Sequence, residues 1–137
     1  MWIPRYFRMR SELRRISEAE RKLDARSPQD PYEVERYNRQ FTGLFEWKQL
    51  ILTRYWEEKA SNLGLPSLDW EDKSLRGQVD WDDDEDQPWY LTPKGIDALK
   101  ERVRTEERHR REVRGYWFGI VIGLIGALTG LASVLKD

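Results

Sequence analysis

The stretch that most constrains this chain is YWFGIVIGLIGALTGLASVL, residues 116–135. It holds no charge, no Pro, no Asn or Gln, and only one Thr and one Ser. As a helix rising about 1.5 Å per residue it reaches about 30 Å, the hydrocarbon thickness of a bilayer. The whole chain is otherwise strongly polar, with a mean hydropathy of -0.85 and 36% charged residues. A helix that packs on a soluble core keeps a polar face, and this run has none. The sequence therefore predicts one transmembrane helix over 116–135. Residues 1–115 form a helix-rich domain before it, and residues 136–137 form a tail after it.

Charge sets the orientation. The formal net charge is only -1, but its distribution is uneven: residues 100–114 carry seven Lys/Arg against four Asp/Glu, whereas Lys136 is the one base beyond the span. The positive-inside bias then places residues 1–115 in the cytoplasm and the span in a cell inner membrane. Arg110, Arg111, Arg114 and Trp117 are expected at the inner interface, with Lys136 snorkelling at the outer one. The chain has no cysteine, which excludes disulfides and thiolate metal sites and fits a reducing compartment. The opening MWIPRYFRMR lacks the apolar core and cleavage site of a secretory signal, so the span is the targeting element. Its aromatics, interleaved with Arg5, Arg8 and Arg10, suit either an interfacial segment against anionic headgroups or packing onto the soluble domain.

From Met9 the spacing of Leu13, Ile16 and Leu23 predicts a first helix ending near Arg26, with Glu20 breaking its stripe. The SPQDP sequence at 27–31 reads as a turn. A second helix then has an N-cap in Asp30, Pro31 at its first position and Glu33 placed for a capping box. Its stripe runs through Val34, Tyr37, Phe41, Leu44, Ile51 and Tyr55, widened by Phe45, Leu52 and Trp56. Lys48 stands where an apolar residue is expected. Gly64 and Pro66 end it near Leu63, and Gly43 is the expected bend. The two helices should form an antiparallel hairpin.

Residues 75–91 predict a short β-hairpin around the acidic tip Asp82, Asp83, Asp84, Glu85 and Asp86. These five acids lack EF-hand spacing and the turning glycine, so no metal or cofactor is expected there. A solvated loop able to dock a basic partner is the reading of a like-charge block. At Trp89-Tyr90-Leu91-Thr92-Pro93-Lys94-Gly95, Thr92 is placed to cap and Pro93 to open a third helix. The pattern resembles the junction at which winged-helix proteins leave their wing and enter the last helix. That resemblance implies a membrane-tethered regulator of DNA or protein, although an acidic wing tip would repel phosphate and makes nucleic acid an unlikely partner. Together with Phe45-Glu46-Trp47, LGLP at 63–66 and the glycine-rich span, YLTPKG is also similar to small single-pass bacterial membrane proteins. This second resemblance implies a bacterial inner membrane and no particular activity.

The third helix has no breaker before Gly115. Ile96, Leu99, Val103, Val113, Trp117, Ile120, Leu124, Ala127, Leu131 and Val134 share one seam, interrupted by Glu106 and Arg110, an i,i+4 pair. A helix of about 43 residues running from Thr92 into the membrane is expected, some 65 Å long. Within the span Tyr116, Gly119, Gly123, Gly126, Gly130 and Ser133 recur at spacings of three and four. Small residues let helices approach closely in lipid, so the chain is expected to self-associate through this seam. No catalytic set is legible: His109, the only histidine, sits among Arg108, Arg110 and Arg111, where it is a poor base. The expected fold class is mainly α, a helical hairpin and a small β-hairpin followed by a long helix that becomes the span. The expected role is non-enzymatic: a C-tail-anchored adaptor or effector subunit with the bilayer, further copies of itself and a cytoplasmic protein as partners.

Overall fold

The computed structural model describes residues 3–26, 28–81 and 86–134. Three helices and one hairpin follow in chain order: α1 (Ile3–Asp24), α2 (Pro31–Asn62), β1 (Arg76–Gln78), β2 (Trp89–Leu91) and α3 (Pro93–Val134). The class is mainly α, as expected. The contacts divide the chain into two units, Met1–Arg102 and Val103–Asp137.

α1 begins earlier than the Met9 stripe suggests. Pro4 is compatible with a first turn, where its missing N–H costs nothing, and the basic-aromatic segment simply becomes helix. Its Tyr6 ring lies 6.4 Å from that of Tyr55 on α2, and Arg5 pairs with Glu58. At the other end Tyr37 donates its phenol to Asp24 Oδ1 at 3.0 Å. Early α1 meets late α2 and late α1 meets early α2, so the pair is antiparallel. The two residues that spoil the apolar stripes, Glu20 and Lys48, face each other across the hairpin at 3.7 Å.

α2 starts and stops where local chemistry dictates. Asp30 Oδ1 accepts the N–H of Tyr32, and Pro31 takes the first position. At the end Gly64 has φ +70; its N–H donates to Ser61 O and the N–H of Leu65 to Ala60 O. This doubly bonded terminus with glycine in the left-handed region satisfies two otherwise orphaned carbonyls. Gly43 does not end the helix, which runs through it as one element of 32 residues.

β1 and β2 pair antiparallel, with Arg76 opposite Leu91 and Gln78 opposite Trp89. The strands are shorter than the 75–91 pattern predicts on the β1 side. The Tyr90 ring crosses over Gly77: a Cβ there would sit 2.6 Å from the ring and would push it aside. Thr92 Oγ1 caps α3 by accepting the N–H of Gly95 at 3.2 Å, and it donates to Ser74 O at 2.8 Å. Gly95 passes so close to the Leu75 carbonyl that a Cβ would lie 2.3 Å from its oxygen. The YLTPKG residues are thus explained by one tight strand-to-helix junction.

In the first unit the buried apolar residues are Ile16 and Leu23 of α1, Ala60 of α2, Leu68, Val79, Leu91, and Ile96 and Leu99 of α3. In α2 the positions that are fully buried are Glu46, Gln49, Thr53 and Ala60, not the expected apolar stripe. This face meets the outer edge of β2, where Thr53 Oγ1 accepts the N–H of Leu91 at 2.8 Å. A sheet edge presents unpaired backbone groups, so polar side chains belong opposite it. Arg76, also buried, donates to Leu68 O at 3.1 Å and lies 3.5 Å from the centroid of the Trp70 ring, with Glu57 at 3.7 Å.

Candidate functional site

The most exposed apolar surface is the far part of α3. Every large apolar side chain in residues 116–131 is between 41% and 70% exposed. An 18-residue window of this helix has a mean hydropathy of 1.4, and none of it is buried. By length and composition α3 is the one helix among the described residues able to cross a membrane. The magnitude bears on any account in water. Burying each large side chain is worth about 1.5–3 kcal/mol, so ten left in water forgo on the order of 15–30 kcal/mol. A whole domain is stable by only roughly 5–15 kcal/mol.

The two hydroxyls of Thr129 and Ser133 are satisfied from within. Thr129 Oγ1 donates to Ile125 O at 2.8 Å and Ser133 Oγ to Gly130 O at 2.7 Å. Such internal closure is what a helix in hydrocarbon requires. Gly119, Gly123, Gly126 and Gly130 have nothing within 4 Å of the place a Cβ would occupy, so the predicted seam is open along its length. Tyr116 and Trp117 stand exposed beside it. Below the apolar run Arg110 Nε donates to Glu106 Oε1 at 2.7 Å, the pairing expected from the spacing. Arg111 and Arg114 are exposed in the same stretch. Of the other sequence-based candidates, Lys136 and the acids Asp82, Asp83, Asp84 and Glu85 lie outside the described residues; Asp86 is exposed.

A second feature went unanticipated. α1, α2 and Trp81 enclose an open groove of about 780 Å³, lined by Ile16, Ala19, Leu23, Leu44 and the indoles of Trp47 and Trp81. The two indoles stack with centroids 5.9 Å apart. Gly43 borders the groove, with nothing within 4 Å of where its Cβ would lie. Arg15, Lys22 and Arg26 line it as well. Periodicity could identify Trp47 as apolar but could not bring Trp81 to it across 34 residues of chain.

Beside this groove runs a buried polar row. Glu46 Oε1 accepts the N–H of Asp80 at 3.3 Å, while its Oε2 and Gln49 Oε1 have no protein partner. Burial, and next the Glu46 carboxylate, push the Tyr90 phenol above its ordinary pKa. Asp72 is shifted the other way: the Ser74 hydroxyl and N–H both donate to its carboxylate and favour the charged form. Among the described residues no three His, Asp or Glu side chains converge in a way that could hold a metal ion. No protein-family model matches the chain, and no curated protein or solved structure does so either.

Proposed function

We propose that this is a single-pass membrane protein anchored by residues 116–135, with its helical domain in the cytoplasm of a bacterial cell, and that copies associate through the glycine seam. Its role is non-enzymatic, as a membrane adaptor or effector subunit that works by assembling. The observation that supports the anchoring is the unbroken apolar surface of residues 116–131 of α3, whose length and composition suit a bilayer. The excess of basic residues in 100–114 supports the orientation. Association is supported by the open small-residue positions at alternating spacings of three and four, because close backbone approach is what drives helices together in lipid.

Three measurements test this in order. Alkaline extraction of membranes should leave the chain in the pellet, and protease added to intact spheroplasts should spare residues 1–115. Extraction into the supernatant would remove the anchor, and digestion would reverse the orientation. Crosslinking in membranes should then trap oligomers that Gly123→Leu with Gly126→Leu abolishes while insertion persists. Oligomers that survive the double substitution would move the interface elsewhere.

A further inference from the structure

We propose that the outer face of α1 lies against an anionic lipid surface; this rests on the reading of α3 as the membrane anchor. Ile16 and Leu23 turn toward α2 and are buried. Helical periodicity puts Phe7, Arg14 and Arg21, seven residues apart, on the opposite side with Arg10 and Glu18. All five are exposed, Phe7 by 62%.

The ion pairs of α1 sort its charges by side. Its acids are largely committed within the fold: Glu12 to Arg8, Glu20 to Lys48, and Asp24 to the Tyr37 phenol. Its cations are not. Arg5 and Arg8 have carboxylate partners, whereas Arg10, Arg14 and Arg21 on the outer side have none among the described residues; Arg15 and Lys22 line the groove instead. Arg10 instead donates to the Tyr6 hydroxyl at 3.1 Å. Glu18 is the one acid left on the outer face against these three cations.

A cationic helix face suits electrostatic contact with anionic headgroups, and the exposed Phe7 at its end can seat among them. Each base near an anionic leaflet adds a modest attraction that fades within a Debye length of about 10 Å. A tether in the same bilayer raises the local concentration, so a weak attraction suffices. Duplex nucleic acid would satisfy the arginines but, with its bases stacked inside, would offer Phe7 no apolar layer to enter.

The absence of cysteine permits a direct test on the full chain. Ser11→Cys, on the exposed side of α1, carries an environment-sensitive nitrobenzoxadiazole probe. The protein is reconstituted in vesicles of phosphatidylcholine alone or of an equimolar mixture with phosphatidylglycerol. The probe should shift to the blue and brighten several-fold in the anionic vesicles only, and high salt should reverse this. Arg10→Gln, Arg14→Gln and Arg21→Gln together should abolish the shift. Glu18→Gln, which removes the remaining acid, should deepen it in the anionic vesicles alone, whereas a misfolded chain with exposed apolar side chains would brighten in both.

Equal emission in both vesicle types overturns the proposal. So does a shift produced in zwitterionic vesicles by duplex DNA or RNA, which would make the face a nucleic-acid surface. Flotation in an alkaline gradient separates the two levels. A chain that floats without a composition-dependent shift overturns the α1 surface alone, and one that does not float overturns the anchor as well.

Discussion

α3 contains two apolar stretches with the same spacing and opposite fates. Ile96 and Leu99 are each 2% exposed, while Leu124 and Leu131, farther along the same helix, are more than half exposed. Periodicity does not separate them. What differs is the remainder of each turn: Asp97, Lys100 and Glu101 give the first stretch a polar side, and the second has no charge at all. An amphipathic turn has one face for a core and another for water. A uniformly apolar one has no face for water and needs a solvent of its own.

The comparison breaks most directly at two leucines. Leu99→Ala should lower the stability of the N-terminal domain by about 2–5 kcal/mol, the usual cost of truncating a well-packed core residue. Leu124→Ala should leave that stability unchanged, since nothing in the fold encloses it. Denaturant unfolding of the bilayer-reconstituted chain, followed by indole fluorescence, reads both. Equal losses would mean the two stretches share one environment.

A glycine pair sharpens it. Gly95→Ala forces a Cβ against the Leu75 carbonyl and should destabilise the domain by roughly 1–3 kcal/mol, as overpacking does. Gly123→Ala meets nothing within the chain and should leave the domain's unfolding curve in place. Its effect should instead appear in crosslinked oligomers. A shifted domain melt in Gly123→Ala would show that the span is coupled to the fold.

The smallest effect concerns pH and should be confined to the domain. The Tyr37 phenol is held above its usual pKa, first because it donates to Asp24, then by burial and by that same negative charge. The folded state therefore keeps its proton longer than the unfolded chain. The stabilisation is complete below about pH 10, the value for free tyrosine, and is lost as pH rises through the folded pKa. Melting temperature should fall less steeply in alkali for Tyr37→Phe than for the natural chain. Parallel slopes would dissociate the α1–α2 contact from this bond.

Much of the fold was legible because helix ends are local events. Asp30-Pro31, Gly64 and Thr92-Pro93 act on backbone groups within a few residues, so each could be read from its neighbours. The Glu106–Arg110 pair belongs to the same class. The candidate site was legible only in part. The apolar run needs nothing but its own composition, whereas the groove of Leu44, Trp47 and Trp81 joins segments whose meeting no local pattern encodes.

What the sequence by itself determined is where helices begin and end and which stretch lacks any face for water. Only the tertiary structure decided which side of α2 is buried. The apolar stripe of Val34, Phe41 and Tyr55 was the strongest local signal, yet the closed positions are Glu46, Gln49, Thr53 and Ala60. Hydrophobic transfer is non-directional and can be read residue by residue. A buried polar position depends on a specific partner, such as the Leu91 N–H that Thr53 accepts, and that partner lies 38 residues away. Glu20 and Lys48 obey the same rule. Each looks like a flaw in its own helix, and the two together form an ion pair across the hairpin.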